Sequence, residues 1–433
     1  MFVLALAAAS SMWFYVDEIL VAHQIADAVE HERPRGNLSD LYPRWLGTRE
    51  LLLHHRNPYS REVTLEVQQG YYGRELDPSR PNDPRDQESF AYPVYVVFLL
   101  APLIGLPFHE VQAFFHWFLI GLTAISVWLW LRTLRWRLML WPALICLVLT
   151  LGCFPVVQGI KLQQLSLLVA ALLAGAAACA ASGFLLCGGV LLAFATIKPQ
   201  LAWPLVAWLI LWAVSDWRRR RRFVFGFGVT MALLLAGAEI VLPGWWKMFF
   251  QGIGQYRQYT QSQSVLEVSL DEVLGTVAIG TVGRVGAQIL AALAVLACGK
   301  LVWKSRSEAA GAWGFSYATA LVLALTVLIV PMYAPYNQIL LLPAILMLTR
   351  VYESFASHPP ARRWAYFVVV LIVGWQWTAS FLLTVMHLLG SHVRAMDRWQ
   401  WPFFATFALP VWAFVLILFA ASRQTDSAAN TSV

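Results

Sequence analysis

Charge is scarce in this chain. Asp, Glu, Lys and Arg make up 13% of its 433 residues, against 59% hydrophobic. Apolar runs of roughly 18–22 residues recur, the length that crosses a bilayer core. A soluble α/β domain would have to expose those runs, so that class is excluded. Cysteine is sparse as well, and Cys146, Cys153, Cys179, Cys187 and Cys298 all fall inside apolar runs. No two have metal-ligand spacing, and membrane burial argues against a disulfide framework. Missing too are a Walker-type phosphate loop, a G-x-S-x-G elbow, an H-E-x-x-H helix and an acidic metal cluster. His54 and His55 are neighbours rather than i, i+4 partners, so they are not expected to share a metal. No period of about 20–50 residues points to a solenoid, and transporter-type internal repeats have no direct support.

What is present is a membrane protein. The expected fold class is all-α and polytopic, with about 11–13 transmembrane or re-entrant helices. A first run covers residues 1–22; it lacks a basic leader and a small-residue cleavage site, and reads as a retained helix. A polar segment, 23–90, follows. Residues 91–421 hold the remaining runs, and 422–433 form a polar tail expected to be disordered.

The net charge of +7 is concentrated in RTLRWR (132–137), DWRRRRR (216–222), KSR (304–306) and ARR (361–363). Short Lys/Arg-rich loops mark the cytoplasmic side and can attract anionic lipid headgroups. Without interleaved aromatics in a foldable domain, they do not read as nucleic-acid binding. If these loops are inside, alternation puts 158–164, 198–199, 244–283, 333–337 and 389–400 outside. Segment 23–90 joins them only if 91–107, with its three prolines, re-enters rather than crosses. Re-entry is the favoured reading; a full crossing with a cytoplasmic 23–90 is the other. Trp141, Trp212, Trp217, Trp245, Trp246, Trp399 and Trp401 lie at run ends and read as an interfacial belt.

Polar residues cluster on that predicted outer face. In GNLSDLYPRWLG (36–47), apolar positions 41, 42, 45, 46, 52 and 53 give a helix with one greasy side, suited to a membrane interface. Asp40 stands at its head, where it (or Ser39) could be a helix N-cap or a catalytic base. In ATIKPQ, Lys198 could snorkel at a run end or meet a lipid-linked phosphate. Gln158, Lys161, Gln163 and Gln164 crowd one short connector in VVQGIKLQQLSLL. Tyr333, Tyr336 and Asn337 gather in PMYAPYNQILLLP, and HRNPYS (55–60) carries an Asn-Pro turn signal. The run centres are nearly free of charge, whereas a transporter would more typically place polar groups at mid-membrane. The pattern favours interfacial chemistry on an amphiphilic substrate.

The ordered set SDLYPRW, NPY, AYPVY with APLIGLP, QQLSLLVAALLAGA, LLAFATIKPQLAWPL followed by WRRRRR, and YNQILLLP resembles polyprenyl-phosphate-sugar-dependent glycosyltransferases. More narrowly, it is similar to glycosyltransferase family 87, the bacterial α-mannosyltransferase-like group with the GT-C fold. The likeness covers about residues 36–350. It implies a polyprenyl-phosphate monosaccharide donor and a lipid or glycan acceptor. It further implies reaction at the outer face of a bacterial cytoplasmic membrane, and an inverting, metal-independent displacement with no cofactor. Asp40 matches the family's catalytic first-loop aspartate, the expected general base. Lys198 matches the lysine of a lysine-proline motif and Gln164 the glutamine of a glycine-glutamine motif. With Lys161, these are the expected contacts to the donor phosphate. Gln163 stands where that motif has glycine, and no histidine accompanies Tyr336 and Asn337. Tyr42, Arg44, Asn57, Tyr59, Tyr92, Tyr336 and Asn337 are the expected substrate contacts. Segments 60–90 and 244–270 are the candidate acceptor-side elements. The rival readings are a transporter or flippase of lipid-linked sugars and a non-catalytic subunit of an envelope-assembly complex.

Overall fold

The computed structural model describes residues 1–36, 39–77, 79–260, 263–268, 281–330, 333–351 and 360–430. All regular structure among them is helical. Six helices among the described residues are long and apolar enough to cross a membrane: Phe2–Glu30, Phe108–Thr133, Trp217–Val241, Val285–Ser305, Phe367–Leu388 and His392–Ala421. Leu140–Leu151 and Phe154–Lys161 meet at 54° and make a seventh if read as one broken span. Pro155 sits in the first turn of the second piece, where a missing N–H is harmless but the earlier helix cannot continue through it. Val94–Leu103, Leu165–Ala181, Leu185–Ala195, Pro199–Ser215 and Trp313–Ile329 are shorter apolar stretches. The architecture is the all-α polytopic one expected.

Small residues set the closest packing. A Cβ placed on Gly189 would lie 2.1 Å from the Phe223 carbonyl oxygen, and one on Gly226 would lie 2.4 Å from the Leu186 oxygen. The Leu185–Ala195 and Trp217–Val241 helices therefore touch backbone to backbone. Where lipid tails remove most of the hydrophobic drive between helices, such close contact supplies dispersion energy.

The 91–107 stretch turns back instead of crossing. It forms a 3-10 turn at Val94–Val96, one α-turn at Val97–Leu100 and another 3-10 turn at Ala101–Leu103. Both its ends meet one helix, Tyr42–His54. Arg44 lies 4.9 Å from the Tyr92 ring centroid, the Trp45 indole N–H donates to the Leu103 oxygen at 3.2 Å, and the Tyr42 and Phe108 rings are 4.9 Å apart. Ten helical residues would in any case span only about 15–20 Å, against about 30 Å of hydrocarbon. Segment 23–90 and the start of the Phe108–Thr133 helix thus lie on one face of the bundle, the loop face.

Other expectations shift. The first helix runs to Glu30, beyond the apolar limit at 22, and contains a π-helical turn at Tyr15–Leu20. Trp212 and Trp245 are buried in the core rather than displayed in a belt, whereas Trp141, Trp217 and Trp246 are exposed. Arg220, inside the basic run, is also buried; its guanidinium donates to the carbonyls of Trp212, Arg306, Ser307 and Glu308. That arginine is a clamp between two loops, because only a five-donor fork can satisfy four carbonyls at once. The last helix continues to Asn430, past the point where composition alone predicts disorder. Adding residues to an existing helix end avoids the cost of nucleation. Residues 431–433 of the tail, most of the 353–363 loop and 269–280 of the 244–283 connection lie outside the described residues.

Candidate active site

Four loop-face segments converge. Asp40 is one position removed from the helix cap: Leu41 directly precedes the Tyr42–His54 helix. The Asp40 backbone N–H donates to the Leu162 oxygen at 3.0 Å, which pins it to the Phe154–Lys161 turn. Its carboxylate Oδ2 accepts a hydrogen bond from the Gln164 side-chain amide. The Gln164 oxygen in turn accepts from the Lys198 ammonium at 3.1 Å. Lys198 also donates to the Ser166 hydroxyl at 2.6 Å, and that hydroxyl donates to Asn337 Oδ1 at 2.9 Å. The result is a continuous polar relay, Asp40–Gln164–Lys198–Ser166–Asn337, tying residues scattered along the chain.

Each member is held by its local fold. Gln164 precedes the Leu165–Ala181 helix in extended conformation, directly after Gln163, whose φ of +46° is left-handed. A side chain there costs on the order of 1–2 kcal/mol. Gln163 offsets this by donating to the oxygens of Ile160 and Lys161 at 2.8 and 2.9 Å and accepting from Gln112 at 3.1 Å. The left-handed turn explains why glycine suits this position in the resembling motif. Lys198 lies in the bend before Pro199, which opens the next helix. Tyr336 and Asn337 belong to a seven-residue 3-10 helix, Pro335–Leu341. Lys198 Nζ stands 5.1 Å from the Tyr336 ring centroid and 6.0 Å from that of Tyr92, so two aromatic faces share the ammonium.

Beside the relay lies a second group. Arg44, one helical turn beyond Asp40, pairs with Glu88 at 3.6 Å and stacks on Tyr92. Asp86 accepts from the Tyr256 hydroxyl at 3.1 Å and from the Glu88 N–H at 3.0 Å. Its backbone oxygen takes the Tyr72 hydroxyl at 3.0 Å. Glu88 is itself left-handed, with φ +51°, the kind of local strain that surrounding contacts must hold in place.

The electrostatics follow from this packing. Burial raises the Asp40 carboxyl above its ordinary range; Asp86 adds to the rise, while Arg44, Lys198 and the Gln164 bond oppose it. Burial and the neighbouring Arg44 lower Lys198 to about 7, with Asp40 pulling the other way. Burial, Asp86 and Asp40 push Glu88 well up, and Arg44 opposes them. Among the described residues, no group of three or more His, Cys, Asp or Glu could hold a metal ion.

Not every expected residue joins this cluster. Lys161 points to the first helix, where it ion-pairs with Asp17 in the π-helical turn. Tyr42 packs between Phe108 and Trp45. Asn57 caps the Tyr59 N–H at 3.0 Å and touches the Met248 sulfur. The Tyr59 hydroxyl donates to the Tyr92 oxygen at 2.6 Å, so these two brace the segment that carries Tyr92. Ser166, Asp86, Glu88 and Tyr256 are members that motif reading did not single out. Ser166 was visible inside QQLSLL, two residues from Gln164, and Asp86 and Glu88 as an alternating acidic pair in DQES.

Residues 90–331, more than half of the chain, match glycosyltransferase family 87. The chain belongs to glycosyltransferase family 87. It is accordingly a GT-C-like membrane glycosyltransferase, and Tyr92, Gln164, Ser166, Lys198 and Tyr256 lie within the matched stretch. Asp40, Arg44 and Asn337 lie outside it and reach the family 87 segment through the relay and the Arg44–Tyr92 stack. Neither the curated proteins nor the solved structures contain a match to this glycosyltransferase.

Proposed function

We propose that this family 87 member transfers a hexose, mannose foremost, from a polyprenyl-phosphate donor to a lipid- or glycan-linked acceptor with inversion at the anomeric carbon. The loop face is then the outer, periplasmic face of a bacterial cytoplasmic membrane. Asp40 is the general base and Lys198 the contact to the donor phosphate. The observation that carries this reading is the Asp40–Gln164–Lys198 relay. One amide holds a carboxylate and an ammonium a fixed span apart, with Asp40 partly exposed.

Inversion needs acceptor oxygen, anomeric carbon and leaving phosphate oxygen in line, and a pre-set base and cation supply that order. The acceptor hydroxyl gives its proton to Asp40 as its oxygen bonds to the anomeric carbon. The bond from that carbon to the phosphate oxygen breaks, and the phosphate departs with the electron pair. Lys198 meets the charge that grows there, with Arg44 the second cation of the site. Positioned charge of this kind acts strongly in a site shielded from water. Tyr92 and Tyr336 wall the space beside the ammonium. Lys161, ion-paired with Asp17, is left out of the phosphate contacts.

The test is transfer of radiolabelled sugar from synthetic polyprenyl-phosphate-mannose by the purified protein. Asp40→Asn is expected to lose about 10²–10⁴-fold in rate while unfolding at the wild-type temperature, because Asp40 stands one position outside the helix cap. Equal transfer by the variant would remove the base assignment.

A further inference from the structure

A cavity of about 910 Å³ opens between segment 59–90 and the Trp245–Thr260 helix. Two helices wall it. Arg61, Thr64, Leu65 and Gln68 line it from the Arg61–Tyr72 helix, and Gly252, Gln255 and Tyr256 line it from the Trp245–Thr260 helix. Both sets follow the i, i+3, i+4 spacing of a single helix face, so the two helices present whole sides to this space. Tyr59 and Phe90 also line it, while Arg80 and Arg85 stand on the loop that closes it.

Two residues of the cavity wall are hydrogen-bonded to segments that carry site residues. Tyr256 lines it and donates to Asp86, one of the charges acting on Asp40. Tyr59 lines it and holds the Tyr92 backbone. We infer that this cavity is the acceptor subsite and that the acceptor presents a hydrophilic oligosaccharide there. The inference rests on the transferase reading above.

Three features select that chemistry. Amide, guanidinium and carboxylate groups (Gln68, Gln255, Arg61, Asp77 and Asp83 among them) stand with the aromatic surfaces of Tyr59, Tyr256 and Phe90, the mixture that suits a sugar's hydroxyls and its C–H faces. The volume lies near the top of the range for small-molecule sites, so it takes several linked rings rather than one. A hydrocarbon chain lying here would strip water from arginine and glutamine side chains and return no hydrogen bonds, which is costly. The lipid part of any acceptor is therefore left to the membrane, and the glycan part enters from the water.

Gly252 provides the probe, since a Cβ there meets nothing within 4 Å. Gly252→Trp fills the cavity from the helix wall without touching the relay. Cellotriose, maltotriose and mannotriose are each titrated against purified full-length protein by saturation-transfer NMR. At least one is expected to bind wild type about tenfold more tightly than its single-ring methyl glycoside, and the gain is expected to vanish in the variant. The variant should bind polyprenyl phosphate as wild type does. Three silent trisaccharides, or one bound equally by Gly252→Trp, overturn the assignment. Protein that transfers sugar to a lipid alcohol yet binds no trisaccharide sinks the cavity and leaves the Asp40 chemistry standing. Trisaccharide binding combined with full activity in Asp40→Asn does the reverse.

Discussion

Lys198 is held at the edge between charged and neutral, and this makes it sensitive to pH. Burial lowers it to about 7, so its ammonium is fully present below that value and is lost as pH rises through it. Asp40 is shifted the other way; in the proposed role of base it would be ionised only above a pKa raised from the carboxylate norm. The profile of kcat/KM is therefore expected to be bell-shaped, with its alkaline limb near 7 and its acid limb above the ordinary carboxylate range. Lys198→Arg should push the alkaline limb upward, since guanidinium does not deprotonate there. An alkaline limb unmoved by that exchange would mean that another group sets it. Single residues were legible in sequence to different degrees. Asp40 stood out at the head of an amphipathic segment and Lys198 at a run end, but the link between them passes through Gln164, and its Asp40–Gln164 bond spans more than a hundred residues. No spacing rule foresees such a contact. Lys161 and Lys198 both stood among polar residues at run ends, yet Lys161 pairs with Asp17 in the π-helical turn while Lys198 is buried against Gln164 and Ser166.

Among the elements, length was a poor guide to role. Leu165–Ala181 is only 17 residues, yet it is buried on nearly every side and carries Gln164 and Ser166 at its loop-face end. Periodicity cannot distinguish a short buried helix from a spanning one when every position is apolar. The prolines of 91–107 did announce a broken segment, because each removes a donor and fixes φ. Pro331, Pro335 and Pro343 likewise punctuate the stretch that holds the seven-residue 3-10 helix Pro335–Leu341, but proline alone does not foretell a 3-10 helix. Packing between elements yields its own prediction. Gly189→Val should displace the Trp217–Val241 helix, because its Cβ would meet the Phe223 carbonyl and backbone cannot rotate away as a side chain does. Overpacking of this kind costs about 1–3 kcal/mol or more, read as a lowered unfolding temperature in detergent. Gly228→Val on the neighbouring helix, where a Cβ meets nothing, is the matched control and should unfold close to wild type.

For the whole molecule, the turn-back at Val94–Leu103 decides which polar segments share a face. Segment 23–90 lies with Gln164, Lys198 and Asn337, opposite the basic helix ends at Arg132–Arg137 and Arg218–Arg222. A membrane-impermeant maleimide should therefore label Arg80→Cys in intact cells and Arg219→Cys only after permeabilisation. Labelling of both from one side would undo the shared-face topology and the proposed orientation with it.

The relay has a further consequence, for how the protein is made. Asp40 and Asn337 are roughly 300 residues apart, so at about 5–20 residues per second the ribosome needs about 15–60 s to deliver the second after the first. Throughout that interval the nascent chain holds a carboxylate without its ammonium, and later an ammonium without its asparagine anchor. No chain stopped short of Asn337 possesses the assembled relay, however well its early helices have inserted. If the relay is what acts on the donor, competence is deferred until the chain has been inserted through Asn337, with, among the described spans, only the Phe367–Leu388 and His392–Ala421 helices still to come.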